Sequence, residues 1–147
     1  MAHGPAPNYV NLYNLRSMSK IELEALAFHE GLPGHHLQRT IQTELGDVPP
    51  FRRFGGWTAY TEGWGLYSEE LGKDMGFYED PYSDFGRLGM ELWRACRLVV
   101  DTGIHHKRWS REEAIEYLTE NTPNPEGDIR KAIERYVVYP GQATAYM

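Results

Sequence analysis

The sequence predicts an all-α protein, with at most one or two short strands near the N-terminus. Two Ser-x-x-Glu capping boxes, "SKIE" and "SREE", open runs of helical length. Pro-Gly pairs and single glycines then punctuate those runs. Only one short segment, "NYVNLYNL" (8–15), reads as extended.

Each element follows in order. Ser19 and Glu22 form the first capping box and open a helix to about Leu32. Pro33-Gly34 breaks it, and a second helix runs to Leu45, closed by Gly46. Residues 47–57, "DVPPFRRFGGW", read as a loop. A helix covers about Thr58 to Met75. Asp80-Pro81 starts a long helix through His106. Ser110 and Glu113 cap "AIEYLTEN". Asn124-Pro125 is a cap with proline in the first turn, opening a last helix that Pro140-Gly141 stops.

The bulk numbers bound the function. At 147 residues and 41% hydrophobic, residues 1–147 suffice for one helical domain with its own core. A net charge of −6 with no basic run argues against nucleic acid, which wants a basic face. No apolar run approaches the length of a membrane span. The first residues lack the charged and apolar regions of a signal peptide, so the compartment, cytoplasmic or exported, is not visible. Cys96 is the single cysteine, which excludes an internal disulfide and any cysteine-based metal site. Metal ligands must be His, Asp or Glu.

The stretch "LEALAFHEGLPGHHLQRTI" (23–41) carries the densest chemistry. Ala25 to Phe28 and Leu32 make this helix end apolar nearly all round, which predicts burial. A buried glutamate such as Glu30 is costly unless it is paired or near a metal. In H-E-x-x-H, two histidines four apart on one helical face bind Zn²⁺, and the glutamate acts as base. Here the spacing is H-E-G-L-P-G-H-H. In a straight helix His35 would lie about 240° round from His29, and His36 about 10 Å further along the same face. Pro33 must bend the helix, so either histidine can return to the second ligand position. His35 is favoured, with His36 its rival. The best candidate for a third ligand is Glu62 in "TAYTEGWGLYSEE", whose neighbours one turn away are Thr58, Ala59, Gly65 and Leu66, all uncharged; the alternative is an exposed glutamate. Glu69, Glu70, Lys73 and Asp74 read as the solvated end of that helix.

Further along, Arg94, Arg97, Asp101 and His105 share one face of the long helix. They read either as a solvated stripe with an Arg97–Asp101 ion pair, or as a functional line. In the second reading Asp101 and Arg97 orient His105, which donates to a developing oxyanion. In "ERYVVYPGQATAY", Arg135 could clamp a carboxylate. Tyr136 and Tyr146 offer donors to substrate and Tyr139 a catalytic phenol, although such residues are more often core.

The motifs "LAFHEGLPGHHLQ", "YTEGWGLYSEEL", "RLVVDTGIHHKRWS" and "ERYVVYPGQATAY", in this order, resemble a large bacterial family, domain of unknown function 885. That family looks like a divergent branch of the zinc metallopeptidases. The resemblance implies a mostly helical, oligopeptidase-like fold. It places His29, a histidine of the 35–36 pair and Glu62 around one Zn²⁺, with Glu30 as the base and short peptides as substrates. Family members are usually several times longer, so the chain is expected to be the C-terminal metal-site part of a longer fold. Apolar helix faces left uncovered would then favour homo-oligomers. The leading expectation is a zinc-dependent peptidase; the alternative is a non-catalytic metal- or peptide-binding module.

Overall fold

The protein is described by a computed structural model over residues 18–146. Among these residues every regular element is helical. The extended segment expected at 8–15 lies outside the described residues. The chain divides into two compact units, of which the described parts are 18–87 and 88–146.

The first unit opens with a 3₁₀ turn, Lys20–Glu22, that leads into α1, Leu23–Glu30. This corrects the expected capping box. Ser19 makes no side-chain cap bond, and the chain enters through a tighter turn in which Leu23 N–H reaches the Lys20 carbonyl. Helix α2 spans His35–Glu44 and α4 spans Thr58–Asp74. Between them the expected loop holds a short helix, α3, at Pro50–Phe54. Proline at its first position needs no donor there, and the Arg52 and Arg53 amides close the turn onto the Pro49 carbonyl. The first residues of α5, Pro81–His105, complete the unit.

Small residues set the packing of α1 on α4. A Cβ added at Gly72 would stand 2.9 Å from the Phe28 ring, so α4 approaches α1 there as only glycine allows. Phe28 in turn meets Phe77 and Tyr78, with ring centroids 5.0 and 5.5 Å apart. The expectation that the end of α1 is buried all round needs correction. Ala25 and His29, four apart, face α4 and are buried, whereas Leu26, Ala27 and Glu30 point away and are exposed. One turn of helix cannot present all these positions to a single partner.

The second unit holds the rest of α5, then α6, Arg111–Asn121, α7, Glu126–Val138, and a closing 3₁₀ turn, Gln142–Thr144. The Ser110–Glu113 capping box forms in both directions. Helix α7 starts one residue later than expected. Its cap is Pro125, whose carbonyl takes the Asp128 and Ile129 amides, and Asn124 stands outside. Gly141 turns the chain at φ 82°, a left-handed conformation suited to glycine. Val100, Ala114, Leu118, Ile129 and Ile133 form the centre of this unit's apolar core and are fully buried. Leu118→Ala is expected to cost about 2–5 kcal/mol through lost burial and a residual cavity. Thermal denaturation should register a fall in midpoint of roughly 10 °C.

Candidate metal centre

The site is built at the break that follows His29. After α1, residues 31–34 turn the chain and α2 begins at His35. Gly34 makes the turn possible. A Cβ there would lie 2.0 Å from the His29 carbonyl oxygen and 2.2 Å from that of Phe28. Two bonds from α2 and the turn fix α4 against them. Trp64 Nε1 donates to the Pro33 carbonyl at 2.9 Å, and the Gln38 amide donates to the Tyr60 carbonyl at 3.1 Å.

This framework brings together His29, His35 and Glu62. One donor atom from each lies within 4.8 Å of the others. Glu62 Oε2 stands 3.5 Å from His29 Nε2 and 3.5 Å from His35 Nε2. Ligands at 2.0–2.2 Å in a tetrahedron stand about 3.4 Å apart, so the donor set and its spacing fit Zn²⁺. The two imidazole rings meet edge to face with centroids 4.7 Å apart. His36 does not join the group, so among the described residues the geometry selects His35. The side chains grade from His29, 3% exposed, to His35 and Glu62 at about one fifth. His29 is thus deeply buried, while His35 and Glu62 reach the surface.

Helix α4 supplies the cradle as well as a donor. A Cβ at Gly65 would fall 2.6 Å from two atoms of the His29 ring, so glycine here is what lets the imidazole sit on α4. One turn further, Glu69 Oε1 lies 2.6 Å from His29 Nδ1. The carboxylate can only accept, so Nδ1 carries the proton and Nε2 presents its lone pair to the cluster. Glu69 is 1% exposed, which corrects its placement at a solvated helix end. Its own backbone carbonyl accepts the Tyr78 hydroxyl at 3.0 Å. Burial first, then the Glu69 and Glu24 carboxylates, push the Tyr78 phenol well above the usual tyrosine range, so it stays a donor. A carboxylate behind a metal-ligating histidine fixes its orientation and raises its basicity. Glu69→Gln is expected to weaken zinc affinity by about 10–100-fold with the fold intact. Competition with a chromophoric chelator measures this, and unchanged affinity would count against the assigned role.

Glu69 was legible in principle. It lies seven residues after Glu62, two turns on, and therefore on the same face. Gly65, Ser68 and Gly72 are small and buried on that side.

Glu30 ends α1, directly after His29, with an exposed side chain. The remaining candidates lie in the second unit. Arg97 is 6% exposed and packs against the Tyr136 and Tyr146 rings, with its guanidinium carbon 5.1 and 4.4 Å from their centroids. Its Nη2 donates to Gln142 at 2.8 Å. Asp101 accepts the Gly141 amide with both carboxylate oxygens, at 3.2 and 3.1 Å. Neither residue is on a solvated stripe; together they hold the Pro140-Gly141-Gln142 turn. His105 Nε2 donates to the Tyr136 carbonyl at 2.9 Å. Tyr136 is buried, and burial pushes its phenol up to about 12 against the pull of Arg97 and Arg94. Tyr146 is buried as well, while Arg135 and Tyr139 are exposed at the end of α7.

Comparison with known proteins gives three findings. The family model described as bacterial protein of unknown function, DUF885, matches residues 2–147. The crystal structure of a candidate lipoprotein from Colwellia psychrerythraea is 48% identical and superposes with a TM-score of 0.91 over 93% of this chain. The match covers 24% of that chain, so the present sequence spans about a quarter of its length. No curated protein matches the chain. No helix among the described residues is long and apolar enough to cross a membrane.

Proposed function

The chain belongs to the DUF885 family of bacterial proteins, and from that premise we propose that it carries the metal site of a zinc-dependent hydrolase that cleaves short peptides. One observation carries this reading. Two imidazoles and a carboxylate converge within 4.8 Å, and a buried second carboxylate sets the tautomer of the more deeply placed histidine. A structural ion pair needs no such arrangement. Two histidines on one glutamate, with a glycine cleared to seat one ring, is the composition of a site rather than of a core.

His29 Nε2, His35 Nε2 and Glu62 would hold the ion. Zn²⁺, when bound, supplies a Lewis acid that polarises a carbonyl and makes water a nucleophile near neutral pH. The residues do the rest. Glu69 keeps Nδ1 of His29 protonated and its ring fixed. Glu30 follows His29 directly, about 100° round the helix, at the exposed end of α1. Its exposed carboxylate is free to move a proton, taking it from the attacking water and returning it to the leaving amine. The lipoprotein description of the Colwellia relative supports an exported location, where a His/Glu donor set is indifferent to the redox poise that would trouble thiolates.

The test has two parts on the same preparation: zinc content after purification, then cleavage of a mixed peptide library with and without chelator. Zinc together with chelator-sensitive cleavage supports the proposal. Zinc without turnover makes the chain a metal-binding module, and absence of zinc removes the reading altogether.

A further inference from the structure

Helices α2, α3 and α4 of the first unit frame a second feature that neither the fold nor the metal donors require. It is a pocket of about 390 Å³ whose lining includes Leu45, Val48, Phe51, Trp57 and Tyr60, together with Arg52. Its aromatic residues do not form a core, since Phe51 is 73% exposed and Trp57 82%. Exposed aromatic surface beside a concavity is one of the forms that a ligand groove takes.

The pocket is built rather than incidental. The Gln42 amide donates to the carbonyls of Arg52 and Gly55, at 2.7 and 2.8 Å. Arg39 Nη1 donates to Gln42 and to the Gly55 carbonyl, at 3.1 and 3.2 Å. Arg53 Nε donates to the Thr43 carbonyl, so residues 52–55 are clamped to α2 at three places. Glycines complete it, because a Cβ at Gly55 would lie 2.2 Å from the Phe51 carbonyl.

The charge is also selective. None of the lining residues is acidic. Among the described residues no carboxylate lies within ion-pairing distance of Arg39, Arg52 or Arg53, in a chain of net charge −6. An apolar pocket with an arginine in its lining and no acidic residue suits a ligand that is apolar at one end and anionic at the other.

We propose that this pocket takes the carboxy-terminal residue of a peptide when that residue is bulky and apolar, its side chain against Phe51, Trp57 and Tyr60 and its carboxylate toward Arg52. The assignment to a peptide rests on the hydrolase reading above. The spacing agrees with it. Gln42 lies two turns beyond His35 on the same face of α2, about 10.5 Å along the axis. An extended peptide advances about 3.3 Å per residue, so a chain seated in the pocket reaches the donors about three residues upstream.

The experiment is direct binding to the full chain, followed by two-dimensional NMR, with three probes. These are N-acetylphenylalanine, its carboxamide and N-acetylalanine. The free phenylalanine acid should bind at least about tenfold more tightly than either of the others. Trp57→Ala should abolish the preference for phenylalanine over alanine, and Arg52→Gln the preference for acid over amide. Both side chains are exposed, so the variants should keep the wild-type spectrum elsewhere. Equal affinity for the three probes, or preferences that survive both substitutions, would overturn the proposal. Zinc content is measured on the same samples. Absence of these preferences from wild type that holds zinc fails the pocket alone, and preferences in wild type that holds no zinc fail the hydrolase reading alone.

Discussion

Glu30→Gln is expected to lower kcat/KM for a short peptide by about 10²–10⁴-fold while zinc stays bound, the usual contribution of a positioned general base. The amide is nearly isosteric with the carboxylate but cannot take a proton. Glu30 lies at the exposed end of α1, outside the group formed by His29, His35 and Glu62, so the substitution leaves the donor set intact. Steady-state kinetics on protein of verified zinc content measure the effect. A variant with full zinc and wild-type turnover would remove Glu30 from the mechanism.

Glu62→Ala should act at the earlier step of metal binding. Glu62 is the carboxylate of the cluster and stands 3.5 Å from both imidazole nitrogens. Without it two neutral nitrogens remain, so zinc affinity should fall by more than the roughly 10–100-fold typical of a supporting residue. Hydrolysis should disappear with the metal. The side chain is about one-fifth exposed and stands beside His29 and His35 rather than in an apolar core, so the helical circular dichroism should survive. Dialysis against buffered zinc followed by elemental analysis gives the result directly. Affinity equal to wild type would show that the third ligand lies elsewhere.

Much of this architecture could be read from the residues, and the exceptions share a cause. The Ser110 capping box, the long α5 and the Pro140-Gly141 stop are local signals, each satisfied within a few residues, and they are where they were expected. The close approach of α1 to the part of α4 around Glu62 was legible because the residues one turn from Glu62 are uncharged and partly small. Glu69 was misread because its sequence neighbours Glu70, Lys73 and Asp74 are exposed, and local charge density masked the seven-residue spacing to Glu62. The choice between His35 and His36 depends on the path of the chain through Gly31–Gly34, which helical periodicity does not describe. Burial at the end of α1 was overstated because composition alone cannot separate the face against α4 from the one opposite. In the same way Arg97 and Asp101 read as a polar stripe until their partners Tyr136, Gly141, Gln142 and Tyr146, about 40 residues away, were placed beside them.

The central claim is that His29, His35 and Glu62 hold one zinc ion, and the adjacent pair of histidines offers its sharpest test. Zinc per chain should be measured by elemental analysis on wild type, His35→Ala and His36→Ala, purified side by side. The geometry predicts close to one ion in the wild type, close to none in His35→Ala, and close to one again in His36→Ala. Zinc retained by His35→Ala and lost from His36→Ala would contradict it, as would a wild-type protein that takes up no zinc.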